Sequence, residues 1–368
     1  MVECSPVPTC PSGAEGIVVS AASGESRASR SSSRCRPQQF DARRTKDMTR
    51  STIVVPETGP PDVLRALELP LVDLTGSEVR VLTSLVGVNF WDVMQRRGDV
   101  PLPADRVPGV EGVGVVTAVG PDADPSLMGS RVAWSKVPSS YSSVVQGPQA
   151  SFITVPDDVT DEAAAGALMQ GVTAQYLATD TTSLGAGQWA VVTAAAGGVG
   201  GLLTQYLVAR GVEVIAVVGS AAKRDAARLT GADRVLVDSA SLVDDVRAIA
   251  AEGVDAVFDA AGGHVARLFG MLRPRGICVL YGAAGSPIAP IEPGALAAGS
   301  FYLTRTAGRD YAATAGEWTA RALDVMSRVA DGSLVVRVGD TLPLASAAEA
   351  HRRLEDRMTT GKVLLSTR

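Results

Sequence analysis

The sequence predicts an α/β protein: a doubly wound parallel sheet joined to a second, mostly antiparallel β-barrel domain. Three observations carry this. From about Gly171, β-rich and helix-like segments alternate along the chain, the rhythm of a parallel sheet with crossover helices. Before that, from Thr52 to about Phe152, short β runs are broken by Gly and Pro. Within the alternating half, Ala195-Ala196-Gly197-Gly198-Val199-Gly200 follows a β-branched run and opens an amphipathic pattern, so its glycines sit where a strand becomes a helix.

The elements follow in order. Residues 1–47 are rich in Ser, Arg, Pro and Gly without apolar periodicity, and are expected to form a disordered extension or to precede a true start at Met48. An Arg- and Ser-rich transit segment is the other reading, and Glu3, Glu15 and Glu25 count against it. Glu78 to Thr83 alternates as a half-buried strand should, and residues 109–120 and 129–134 read as further strands around a helical insert near 89–97. In the second half, strands are expected at 189–194, 212–218, 233–237, 254–258 and 276–281. Helices are expected near 199–210, 221–230, 241–251 and 263–272. A long helix ending near 330, a strand, a helix over 347–354 and a closing strand at 362–365 complete the chain.

Composition narrows the partners. The 368 residues carry a net charge of −5, a poor match to nucleic acid, whose phosphates demand a basic surface. Cys4, Cys10, Cys35 and Cys278 show neither a pairing pattern nor metal-ligand spacing, which favours a reducing cytoplasm. The apolar run at 189–204 is split by its glycines into a strand and a helix, each too short to cross a bilayer, so no membrane span is expected.

Read as A-x-G-x-x-G, Ala195, Gly197 and Gly200 fit a dinucleotide fingerprint, with the N–H groups of Gly198 and Val199 facing a pyrophosphate at a helix N-terminus. In such folds the second strand ends about 20 residues later on an acid that holds the ribose 2′-hydroxyl of NAD. Here that strand ends at Gly219-Ser220 with no acid, and Lys223 and Arg224 follow. A hydroxyl and two cations suit a 2′-phosphate, so NADPH is the expected cofactor. The alternative for the cations is a solvated first helical turn, which the helix dipole disfavours.

Beyond this point the chain resembles the medium-chain dehydrogenase/reductase superfamily, and within it the zinc-independent quinone oxidoreductases. The resemblance runs from about Thr52 to the C-terminus. It rests on Gly87-Val88-Asn89-Phe90-Trp91-Asp92, Pro108-Gly109-Val110-Glu111-Gly112-Val113-Gly114, Gly171-Val172-Thr173-Ala174, the glycine turn, and Ala350-His351 through Arg357 to Gly361-Lys362. It implies a Rossmann domain over 172–308 and a GroES-like catalytic domain over 48–171 completed by 309–368. It also implies a homodimer extended through the Rossmann edge strand. Zinc members carry an early cysteine and a His-Glu pair; here Asn89 and Val110-Glu111 stand there, so no metal is expected.

The resemblance places Asn89 beside the nicotinamide and the substrate oxygen, where its amide donates to developing charge; the competing reading is a helix cap. Asp92 either relays a proton, orients Asn89 or stabilises the helix start. Tyr141 either lines the cleft and binds or protonates substrate, or sits on a surface hairpin. Gly98-Asp99-Val100-Pro101 lacks the tyrosine that many enoyl reductases of the superfamily carry there. Thr173 is expected near the nicotinamide end, and Tyr281 and Gly282 at the C-terminal edge of a parallel strand, where ligands bind in such sheets. Arg357 and Lys362 match basic positions near the cofactor phosphates; the alternative for either is a plain surface cation. His351 is expected in packing or an interface, and Phe90, Trp91, Trp134, Tyr141 and Tyr302 are expected to shape the substrate pocket. The implied reaction is hydride transfer to a quinone or an α,β-unsaturated carbonyl. A biosynthetic enoyl or enone reductase and a non-catalytic, crystallin-like RNA-binding protein are the alternatives.

Overall fold

The computed structural model describes residues 48–263, 265–282 and 288–368. The expected N-terminal extension and His264 lie outside them. An antiparallel pair comes first, β1 (Thr49–Val54) with β2 (Arg65–Pro70). Then follow β3 (Glu78–Val88), α1 (Phe90–Arg97), β4 (Gly112–Val119), β5 (Arg131–Trp134), β6 (Val144–Pro148) and β7 (Ile153–Thr154). The long α2 (Asp161–Thr179) leads into β8 (Trp189–Val192), α3 (Gly198–Ala209), β9 (Glu213–Val218), α4 (Arg224–Arg228) and β10 (Arg234–Val237). Next are α5 (Leu242–Ile249), β11 (Val254–Asp259), β12 (Leu272–Leu280), α6 (Gly294–Ala297), β13 (Tyr302–Arg305) and α7 (Gly308–Tyr311). The chain closes with α8 (Ala315–Ala330), β14 (Val338–Pro343), α9 (Ala347–Glu355) and β15 (Lys362–Ser366).

The predicted parallel sheet is present, in the order β10-β9-β8-β11-β12-β13. The order reverses between β8 and β11, so the carboxyl ends of these two strands open a crevice, the ligand-binding place of doubly wound sheets. Its central strands are near-continuous apolar runs because both faces are covered: Val214 to Val218 of β9 are all buried. β13, which the sequence reading did not place as a strand, forms one edge.

The second sheet runs β14-β15-β3-β4-β5-β7, with β6 also on β3. Among the described residues no pairing joins β14 to β7, and apart from β14 on β15 every pairing in this sheet is antiparallel, as expected of the second domain. The eleven residues of β3 serve two partners along one edge, β6 at Glu78–Leu82 and β15 at Leu85–Val88. That sharing brings the last strand of the chain beside Asn89.

The helix expected over 263–272 is a 3-10 segment, Val265–Met271. Gly262 and Gly263 take φ of 75° and 73°, and β12 already begins at Leu272, which leaves eight residues between. β12 starts four residues earlier than expected, across an irregular register with β11.

α2 welds the two sheets. Apolar on nearly all sides, it is buried through Ala164–Leu168, Val172 and Leu177. One hydrophobic cluster passes through it from Leu85 and Val113 to Val192 and Val214. Leu168 and Leu177, both fully buried, contribute about 2 kcal/mol each. No helix of the described residues is long and apolar enough to cross a membrane.

Candidate active site

The glycine turn is built for an anion. Gly197 is the N-cap of α3, and Ala194, at φ 51°, bends the chain out of β8. Ala195 is fully buried and its N–H donates to Val217 O (3.1 Å), so it anchors the turn to β9. Among the described residues the N–H groups of Gly198, Val199 and Gly200 have no acceptor, the open donor set of a helix start. Gly200 must be glycine: a Cβ there would lie 2.5 Å from Ala194 O. A cavity of about 180 Å³ opens beside the turn.

The expected phosphate cations meet a few residues away. Gly219 and Ser220 are exposed beyond β9, and Lys223 follows in a 3-10 turn. Lys223 Nζ donates to Arg357 O (2.5 Å) and Thr359 O (2.8 Å), which leaves one of its three N–H groups for a ligand. Burial and the Arg357 charge hold this ammonium below its usual pKa. Arg357 is exposed, at φ 57°, on the same loop.

Lys362 is elsewhere. The expectation that it meets the phosphates is overturned: its side chain is 1 % exposed and its Nζ donates to Glu111 Oε2 (2.5 Å) and Asn89 Oδ1 (2.8 Å). Glu111 Oε1 in turn accepts from Met169 N of α2 (2.7 Å). The Asn89 amide donates to Glu111 Oε2 (2.9 Å) and to Gly87 O (3.2 Å), so both of its N–H groups are bonded inside the protein. Gly87 makes room for this cluster: a Cβ would lie 2.5 Å from Ala165 O and 2.6 Å from Glu111 Oε2.

Asn89 occupies the N-cap position of α1, in a capping box with Asp92. Asp92 Oδ2 supplies the cap by accepting from Asn89 N (2.8 Å). Asp92 thus fixes the backbone of Asn89 while its amide turns toward Lys362 and Glu111.

Neither expectation for Tyr141 holds. It is neither in a cleft nor on a surface hairpin but fully buried; its hydroxyl donates to Asp92 Oδ2 (3.1 Å) and faces His351 Nε2 (3.0 Å). Trp134 is fully buried as well, and Tyr302 stands 60 % exposed on the edge strand β13, so these residues do not jointly shape a pocket. Phe90 is half-buried and Trp91 exposed, at the start of α1. The Thr173 hydroxyl donates back to Met169 O (2.7 Å) within α2. Tyr281 follows β12, with Gly282 half-buried after it, and its hydroxyl donates to Thr193 O (3.3 Å) just past β8.

Two acids went unread in the sequence. Glu111 reads in sequence only as the remaining half of a zinc pair whose histidine is Val110 here, although a lone charge in an apolar, glycine-flanked run signals a buried partner. Asp259 ends β11 at 2 % exposure and accepts from Thr193 Oγ1 and Gly262 N, both 2.8 Å, which ties the loops beyond β8 and β11 together.

Comparison with known proteins fits this geometry. The family model of the alcohol dehydrogenase GroES-like domain matches residues 75–188, and that of the zinc-binding dehydrogenases matches residues 198–328. A quinone oxidoreductase of Pseudomonas aeruginosa is 32 % identical over 315 residues, covering 83 % of this chain and 96 % of that protein. A 2-haloacrylate reductase of Burkholderia is 32 % identical over 325 residues, covering 85 % and 97 %. A mycobacterial protein solved in complex with NADPH superposes with a TM-score of 0.81 at 36 % identity, covering 86 % of this chain and 99 % of that one. The chain therefore belongs to the medium-chain dehydrogenase/reductase superfamily. Within it, the chain is a member of the quinone oxidoreductase family.

The zinc that names one of these family models does not suit the residues present. A tetrahedral zinc asks for Cys, His or an unshared carboxylate. Here the amide of Asn89 and the carboxylate of Glu111 are already bound to an ammonium ion, whose charge opposes a second cation.

Two predictions follow from the buried charges. Lys362→Met leaves Glu111 buried without its partner and should cost about 3–5 kcal/mol in urea unfolding, while Lys362→Met with Glu111→Gln recovers much of it. Equal losses in the single and double variants would show that the pair is not the source.

The second concerns Asp92 and His351, which share Tyr141 beside Arg96, Glu355, Lys362 and Glu111. Burial raises Asp92 from 3.8 to about 7 and lowers His351 from 6.5 to about 3. Folded Asp92 keeps its proton where the unfolded chain loses it, so its contribution falls as pH rises from about 4 to 7. Folded His351 stays neutral where the unfolded chain takes up a proton, so its contribution rises between pH 3 and 6.5. The two oppose each other in the parent. His351→Leu should lose stability from pH 4 toward 7, and Asp92→Asn should gain it from pH 3 toward 6.5, each by up to about 1.4 kcal/mol per pH unit. Parallel urea-midpoint profiles for the two variants would refute this.

Proposed function

We propose that the chain is a metal-free, NADPH-dependent reductase that delivers hydride to a quinone or an activated enone. The observation that carries this reading is the physical link between its two halves. Gly361 N donates to Ala196 O of the glycine turn (3.1 Å), and the next residue, Lys362, grips Asn89. The open N–H groups of Gly198–Gly200 suit the pyrophosphate, and Lys223 and Arg357 suit a 2′-phosphate that no acid at 219–220 would exclude.

When bound, the reduced nicotinamide supplies the hydride. The protein's part is position and charge. Of the two Asn89 N–H groups, the one on the longer bond to Gly87 O is the donor that exchanges to a substrate oxygen as negative charge builds there. The Lys362 ammonium on Asn89 Oδ1 polarises the amide and strengthens that donor. Asp92 and Tyr141 are sealed away from any ligand, so they act as positioning residues, and the final proton comes from solvent. Glu111 and Lys362 already neutralise each other, which supports chemistry without a metal. The similar 2-haloacrylate reductase favours activated alkenes as the second substrate class beside quinones. The cysteine usage and acidic charge support a cytoplasmic enzyme with no nucleic-acid partner.

An oxidation screen with NADPH and NADH across quinones, enones and enoyl thioesters tests the reading. NADPH-dependent turnover with a quinone or enone is expected. Asn89→Ala should lower kcat about 10²-fold with NADPH affinity retained. Cofactor binding without turnover on any acceptor would favour a non-catalytic nucleotide-binding protein, and unchanged kcat would reduce Asn89 to a structural residue.

The assembly proposed is a homodimer through β13, whose outer edge is unpaired among the described residues and presents Tyr302. Sedimentation should give a dimer that Tyr302→Asp converts to monomer; a monomeric parent would end this proposal.

A further inference from the structure

The cavity beside the glycine turn contains a cation that the sequence reading passed over. Arg337 immediately precedes β14, and its carbonyl accepts the N–H of Lys362 (2.8 Å). Its side chain crosses the bare backbone of Gly361, where a Cβ would come within 3.0 Å of Arg337 Cγ. Arg337 then lines the cavity together with Gly197, Gly198 and Thr230. It is exposed, and among the described residues its guanidinium has neither an ion pair nor a hydrogen bond. Its neighbours differ: Arg352 pairs with Asp62 and Glu349, and Arg353 with Asp340 and Glu349.

Two more cations bear on the loop that Arg337 lies against, Arg357 within it and Lys223 from the turn after β9. Lys223 holds the carbonyls of Arg357 and Thr359, and two residues on Gly361 is pinned to Ala196. Arg337 therefore lies against one end of a clamped loop and Arg357 sits at the other. Such positive charge, gathered next to open backbone donors, asks for a polyanion, and a guanidinium meets a phosphate through two parallel N–H bonds.

We propose that Arg337 is a specificity residue that, with Lys223 and Arg357, holds the 2′-phosphate of NADPH and separates it from NADH. This rests on the NADPH reading above and adds a residue from a third segment of the chain. NADH lacks the group that Arg337 binds, so its affinity is set by the glycine turn alone.

Calorimetric titration of the full-length protein with NADPH, NADH and adenosine 2′,5′-bisphosphate tests this without turnover. Arg337→Ala should weaken NADPH and the bisphosphate about tenfold and leave NADH within about twofold, with Arg337→Lys between. An equal loss for NADPH and NADH, or no loss for either, would overturn the role of Arg337. If Lys223→Ala still lowers NADPH affinity selectively in that case, the NADPH reading survives and only this inference falls. If the parent binds NADPH and NADH alike, both fall together.

Discussion

The buried contact between Lys362 and Glu111 is the interaction on which the rest of this site depends. An ion pair this deep contributes little net stability, because both ions give up water. Its value here is in what it connects. Glu111 precedes β4, Lys362 opens β15, Met169 belongs to α2, and Asn89 joins β3 to α1. Four elements meet on one carboxylate and one ammonium, so the Asn89 amide has a single orientation. A neutral pair of similar shape would pack well but would leave that amide with a weaker, less directed partner.

A second polar layer lies directly beneath. Asp92, Tyr141 and His351 form a chain whose members have no solvent contact, and Asp92 Oδ1 and His351 Nδ1 lack partners among the described residues. Asp92 keeps its proton up to about pH 7 and His351 takes none until about pH 3, so between these values the chain carries no charge. The layer therefore holds the Asn89 backbone in place across the pH range in which a single buried acid or base would loosen it.

What was legible in the sequence was what is local. The glycine turn, the missing acid at Gly219-Ser220 and the alternating strands are written in neighbouring residues, and they gave the parallel sheet and the class of ligand. Lys362 and Tyr141 were misplaced because their partners are remote. Asn89 and Lys362 are 273 positions apart, and Asp92 and Tyr141 are 49 apart. A lysine after Gly361 reads as a surface cation until β15 is known to pair with β3. The 3-10 segment at Val265–Met271 departs for another reason: its apolar spacing is helical, but left-handed Gly262 and Gly263 on one side and the early start of β12 on the other bound it.

The bond from Gly361 to the glycine turn carries a consequence for biosynthesis. The segment from Arg357 to Lys362 supplies the carbonyls that Lys223 grips, the amide that pins Ala196, and the ammonium that orients Asn89. A chain still being made has its parallel sheet long before it has these six residues. The nucleotide half is thus unfinished, and the Asn89 amide unaligned, until this segment has been made. A chain cut before Arg357 would hold its parallel sheet without the bonds that join it to Asn89.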